Sequence, residues 1–224
     1  MVIEKVRVAL VASCGGTDAN SVMKAYKQDH LPANCEIVVL ISTKEGAGCL
    51  EKAAALGIPS VVIPRKGRKL ADFHEEITQY WRDQNIELVF SLGCVVILPL
   101  MPGVIIYNIH PAHPEYHGGR DMYGLAVHEH VLSTIVDKKR REWESEDHRW
   151  FTYPTVHEVT EQPDHGRPLV QLCVEIPPDI IELATQPGQL TEAAERLQKL
   201  VLPFEWLILP AAVSVACQKI APIG

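Results

Sequence analysis

Lys5-Val6-Arg7-Val8-Ala9-Leu10-Val11-Ala12, followed by Ser13-Cys14-Gly15-Gly16, is the stretch whose reading decides the fold. The run is mostly apolar, short, and closed by a glycine turn, which is the signature of a buried strand. A helix is expected next, from about Ala19 to Gln28. The pattern then repeats. Glu36 to Ser42 reads as a second buried strand, and Ala47 to Leu56 as a helix closed by Gly57, a good residue just past a helix end. Ser60 to Ile63 is a third strand. Leu70 to Gln84 carries Phe73, Ile77, Tyr80 and Trp81 near helical spacing. Glu87 to Leu92 and Val104 to Ile109 are the fourth and fifth strands. Strands alternating with helices imply parallel pairing through right-handed crossovers. The expected class is therefore α/β: a Rossmann-like, doubly wound, mostly parallel sheet of about seven strands.

Beyond the fifth strand the pattern changes. Asp121 to about Glu146 reads as helix, and its charged run at 137–142 as a solvated face. Thr155 to Val159 and Leu169 to Ile176 read as strands joined by a turn-rich loop at 160–166. Helical patterns from about Thr191 to Ala216 are expected to break near Pro203 and Pro210. With no internal repeat and no low-complexity linker, residues 1–224 are expected to form a single domain.

The chain carries 21 basic and 28 acidic residues, a net charge of −7, which argues against nucleic-acid binding by bulk electrostatics. No apolar run reaches the length of about 18 residues that a membrane span needs. The first residues lack the apolar core of a signal peptide. Cysteines at 14, 35, 49, 94, 173 and 217 form no C-x-x-C pair. They are expected to be reduced thiols in apolar surroundings, Cys94 and Cys173 among them, in a cytoplasmic protein.

Asn108-Ile109-His110-Pro111 closes the fifth strand. Residues two apart on a strand project to one side, and ligands of open α/β sheets collect at the carboxyl ends of strands. An amide there can donate to a developing oxyanion, and an imidazole can move a proton near neutral pH. Read alone, Asn108 could equally cap the strand and His110 could be a packing residue. His110, His113 and His117 are spaced by three and four, with His128 and His130 beyond, which raises a zinc site. Pro111 and Pro114 break the helix that would align the first three, so no metal is assigned.

Five segments, taken in order, resemble the folate-dependent formyltransferases, and within them the branch that formylates glycinamide ribonucleotide. They are Val6 to Gly16, Ile41-Ser42-Thr43-Lys44-Glu45-Gly46 running into Ala53, Leu88 to Leu98, and Asn108-Ile109-His110-Pro111 paired with a later Val156-His157…Asp164-x-Gly166. The resemblance covers most of the chain. It implies formyl transfer from 10-formyltetrahydrofolate to a primary amine, glycinamide ribonucleotide in purine biosynthesis before all. Another amine, such as an amino sugar nucleotide, or a non-catalytic folate or nucleotide binder, is the alternative. It also implies small-molecule substrates only and a monomer or homodimer.

By the same resemblance, Asn108, His110 and Asp164 are catalytic. Asn108 would meet the oxyanion, and His110, as imidazolium, would donate a second hydrogen bond or relay the proton. Asp164 would raise the pKa of His110. Val95, Val96, Ile97 and Leu98 would wall the folate on one side, with Thr160 and Glu161 on the other. The alternative for 95–98 is plain core. Gly15, Gly16, Thr17, Gly118 and Glu205 would hold the acceptor. The chain departs from the family where Asp18 follows the glycine turn and where Ala112-His113-Pro114 replaces a Ser-Leu-Leu-Pro stretch. Asp18 would be ordinary as a helix N-cap and repulsive facing a phosphate.

Overall fold

In a computed structural model, which describes residues 3–141 and 148–222, the chain divides into two units. Residues 3–109 and 209–222 make the first, and the described residues of 110–208 make the second. The first unit alternates as its sequence pattern requires. Its elements are β1 (Val6–Ala12), α1 (Thr17–Lys27), β2 (Cys35–Ser42), α2 (Gly48–Ala55), β3 (Ser60–Val62), α3 (Leu70–Asp83), β4 (Leu88–Ser91) and β5 (Ile105–His110). The strands lie in the order β3-β2-β1-β4-β5, all parallel. Central strands covered on both faces need unbroken apolar runs, and β4 is buried at every position. α3 turns Phe73, Ile77 and Trp81 inward at spacing four and leaves Tyr80 half-buried. Gly57 follows α2 at φ 61°, the left-handed conformation that a glycine past a helix end supplies.

The order matters for function. From β1 the chain winds outward through β2 and β3, then returns to place β4 on the other side of β1. Such a reversal opens a crevice at the carboxyl ends of the two inner strands. The loops leaving β1 and β4 are residues 13–16 and 92–98, the two loops expected to hold phosphate and folate.

The second unit begins at His110, the last residue of β5. It contains α4 (Pro114–His117), α5 (Leu125–Arg140), β6 (Trp150–Thr152), β7 (Thr155–Glu158), β8 (Pro168–Gln171), β9 (Val174–Ile176), α6 (Pro178–Thr185) and most of α7 (Leu190–Ile220). Its core joins Val131, Leu132 and Ile135 of α5 to Ile180 and Ile181 of α6 and to Ala194, Leu197 and Val201 of α7. β7 and β8 form an antiparallel hairpin, and with the five parallel strands of the first unit they account for seven strands.

Several expectations are corrected here. The single strand at 169–176 is two strands, because residues 168–171 pair with β7 while 174–176 pair with β6. β6 and α6 carry no strong local pattern and were not expected. The helix expected from Asp121 starts at Leu125, since Asp121 and Gly124 both take positive φ, 66° and 58°. It ends at Arg140, and residues 142–146 lie outside the described residues. Its tail is the expected solvated face, with Arg140 near Asp137. Helix α7 runs unbroken through Pro203 and Pro210. Each proline removes one backbone donor, but the buried stripe of Ala194, Leu197, Val201, Ile208 and Leu209 outweighs that loss. By length and composition α7 could span a membrane, but 44% of its most apolar window is buried inside the protein. All six cysteines are free thiols, and Cys173 is exposed rather than set in apolar surroundings.

Gly16 tests how tightly the first loop is built. Its φ is 67°, and a Cβ there would lie 2.3 Å from the Cβ of Cys49. Gly16→Ala is expected to lower unfolding free energy by about 2 kcal/mol or more, read as a fall in the urea midpoint at constant slope.

Candidate active site

Asp164 sits in the β7–β8 loop at φ 59°, a left-handed conformation that a short polar side chain tolerates. Two glycines let the loop close. Gly166 crosses Glu158 so tightly that a Cβ would fall 1.6 Å from the Glu158 carbonyl oxygen. At Gly118 a Cβ would meet the Pro114 carbonyl oxygen at 2.4 Å and the Asp164 Cβ at 2.6 Å. These contacts hold the carboxylate against the segment that follows β5.

Three groups face that carboxylate. The Gly119 N–H donates to Oδ2 at 2.9 Å. His110 Nδ1 lies 3.9 Å from Oδ2, and His157 Nε2 lies 3.4 Å from Oδ1. Both imidazoles are almost fully buried. The opposite ring nitrogens are already committed: His110 Nε2 to the His117 carbonyl at 2.9 Å, and His157 Nδ1 to the Glu158 carbonyl at 3.0 Å. A carbonyl only accepts, so those nitrogens are the donors. His110 is thus fixed in the tautomer that presents Nδ1 to Asp164.

The electrostatics correct one expectation. Burial pushes the His110 pKa down, and this outweighs the upward pull of Asp164 and of the His117 carbonyl. His110 is therefore a neutral imidazole near neutral pH rather than an imidazolium. Burial also opposes ionisation of Asp164. The His157 ring, the Gly119 amide and the His110 ring together overcome it and hold the carboxyl below its ordinary value.

The other expected residues fall as follows. Asn108 stands two positions before His110 on β5, half-buried, in register with Ser91 of β4. Val95 and Ile97 are 59% and 64% exposed, which rules out the plain-core reading for those two, whereas Leu98 is buried as that reading has it and Val96 is half-buried. Thr160 and Glu161 are exposed, with Thr160 Oγ1 donating to the Gln162 carbonyl at 2.9 Å. Gly15, Gly16 and Thr17 make the turn into α1, with Gly16 as its N-cap. Asp18 is therefore not the cap but lies in the first helical turn. Glu205 is buried on α7. Among the described residues no group of three or more His, Cys, Asp or Glu side chains could hold a metal ion.

Four contributions carry no role in the sequence reading. His157, in the Val156-His157 segment, is the nearest imidazole to Asp164. Gly119 supplies the backbone amide to Asp164. Lys52 of α2 donates from Nζ to the Gly15 carbonyl at 2.7 Å, bringing a cation to the glycine turn. His74 of α3 pairs with the Ile97 carbonyl at 2.9 Å and ties down the 95–98 loop. Ser13, Thr43 and Cys94 join the loops after β1, β2 and β4, with 2.6 Å between the two hydroxyls and 3.4 Å from Ser13 to the Cys94 sulfur. No local pattern marks Lys52 or His74, because each acts through a chain segment remote in sequence.

Known proteins resemble the chain in sequence and in fold. A family model described as formyl transferase matches residues 6–199. The chain is 26% identical to a chloroplastic phosphoribosylglycinamide formyltransferase of Arabidopsis thaliana over 95% of its length, and spans 66% of that protein. It is 32% identical over 188 residues to a trifunctional purine biosynthetic protein of Drosophila pseudoobscura pseudoobscura, covering 80% of this chain and 12% of that protein. A crystal structure of phosphoribosylglycinamide formyltransferase from Brucella melitensis superposes with a TM-score of 0.69 at 25% identity, covering 96% of both chains.

The buried imidazoles make stability depend on pH. Burial, with His110 nearby, pushes His128 down to about 4, and burial with its histidine neighbours pushes His117 down to about 4 as well. An unfolded histidine binds its proton at about pH 6.5. Between that pH and about 4 the unfolded chain holds protons that the folded chain refuses. Stability is complete above this window and is lost as pH falls through it. Thermal melting should therefore drop steeply across the window, and His128→Leu should flatten the drop.

Proposed function

The chain belongs to the formyl transferase family, and from that premise we propose that it moves a formyl group from 10-formyltetrahydrofolate to a primary amine, glycinamide ribonucleotide in purine biosynthesis. The observation that carries this reading is the ionised Asp164 beside a neutral His110 whose tautomer is fixed. The amine nitrogen attacks the formyl carbon, a C–N bond forms, and the carbonyl oxygen becomes an oxyanion. Asn108 donates its amide hydrogen to that oxygen. The nitrogen that attacked sheds a proton, and His110 Nδ1 accepts it. Asp164, facing the same nitrogen, stabilises the resulting imidazolium. The intermediate collapses by breaking the bond to N10 of the folate; N10 takes the proton from the His110 imidazolium and leaves as tetrahydrofolate, which returns His110 to its neutral form. The Gly119 amide, donating to Oδ2, holds Asp164 ionised and in place, with the His157 ring beside it.

The 95–98 loop, with its exposed Val95 and Ile97, is assigned to the folate, as are Thr160 and Glu161. Lys52 and the backbone of Gly15, Gly16 and Thr17 are assigned to the acceptor's phosphate at the start of α1. Gly118 and Glu205 are assigned to the acceptor. Asp18 in the first turn of α1 favours testing a second acceptor class, amino sugar nucleotides. The working unit is one domain over residues 1–224, a cytoplasmic monomer or homodimer acting on small molecules, with no nucleic acid or membrane partner.

Release of tetrahydrofolate with glycinamide ribonucleotide, followed spectrophotometrically, tests the reading. His110→Ala should lower kcat by about 100- to 10,000-fold, the usual range for a lost acid–base group. Asp164→Asn should be similarly impaired, with an unchanged circular dichroism spectrum for both. Full turnover in Asp164→Asn would refute these roles. Because His110 acts as a base, kcat/KM should fall as pH drops through its depressed pKa and stay level above it.

A further inference from the structure

Formyl transfer as described leaves one histidine pair unused. His117, half-buried at the end of α4, and His130, exposed on α5, bring their Nδ1 atoms within 3.1 Å of each other. Their rings stand edge to face at 73°. Imidazole is the commonest metal ligand among side chains.

We propose that His117 and His130 form a two-imidazole site for a first-row divalent transition-metal ion, with water filling the remaining positions. At ordinary metal–nitrogen lengths of about 2.0–2.1 Å, two nitrogens 3.1 Å apart subtend about 98° at the ion. That angle lies between the square-planar and tetrahedral values. Both ligands come from the second unit, one on each of two consecutive helices, so the pair is assembled before an ion arrives. Among the described residues no third His, Cys, Asp or Glu completes a closed cage. The site therefore suits an exchangeable ion, Cu²⁺ more tightly than Zn²⁺ by the general affinity order of nitrogen sites. The His117 carbonyl receives the hydrogen bond from His110 Nε2, so an ion here would restrain the segment that orients His110.

Isothermal titration of the metal-free full chain with ZnCl₂ and with CuSO₄ tests the site. One equivalent should bind with micromolar affinity, and His130→Ala and His117→Ala should each weaken binding by about tenfold or more. His30→Ala, an exposed histidine of the first unit, should bind as the parent does. The Cu²⁺ form should show electron paramagnetic resonance couplings from two imidazole nitrogens, reduced to one in His130→Ala. His130 is exposed on a helix, so its alanine variant retains the fold. Undiminished binding in His130→Ala, or the absence of a stoichiometric site in the parent, would overturn the proposal and leave the pair as a simple hydrogen bond between rings.

Discussion

The carboxylate of Asp164 is the constraint on which the second unit's site depends. A half-buried carboxylate is costly to ionise unless its oxygens are satisfied. Here the Gly119 amide donates to one oxygen and two imidazoles face the carboxylate, each group from a different stretch of chain. The amide belongs to the loop after α4, one imidazole ends β5, and the other lies on β7. Removing the amide's donation leaves charge without compensation and costs more than the hydrogen bond itself is worth. The tight approaches at Gly118 and Gly166 follow from the same demand, because a Cβ at either position would push the Asp164 loop away.

The sheet of the first unit positions loops of its own. Placing β4 beside β1, after the chain has wound away through β2 and β3, directs the two loops that follow them to one end of the sheet. Short polar side chains then tie these loops together at Ser13, Thr43 and Cys94, while Lys52 and His74 reach in from helices to hold one carbonyl in each. Fixing the backbone rather than filling the crevice leaves Val95 and Ile97 exposed. A flat heterocycle needs such apolar walls with a few fixed polar groups.

The first half of the chain was legible because its elements are local. The β1 apolar run, the Gly57 helix end and the Phe73-Ile77-Trp81 stripe each announce one element without help from the rest. The second half was less so. The 168–176 segment changes strand partner at Leu172, which no periodicity encodes, and α7 keeps its helix through two prolines because burial of both flanking stretches dominates. At the site, Asn108, His110 and Asp164 could be named because motif order is visible in sequence. The protonation of His110 could not. Nearby charge suggested an imidazolium, whereas depth of burial, a property of the folded chain alone, decides for the neutral ring.

The protonation state of His110 is therefore the quantity to measure. Nitrogen-15 NMR of the histidine rings, assigned by comparison with His110→Gln, reads tautomer and titration together. The account predicts, near pH 7, a neutral His110 with its proton on Nε2 and an unprotonated Nδ1, titrating below the ordinary histidine range. A His110 that is imidazolium at that pH, or that carries its proton on Nδ1, would contradict it.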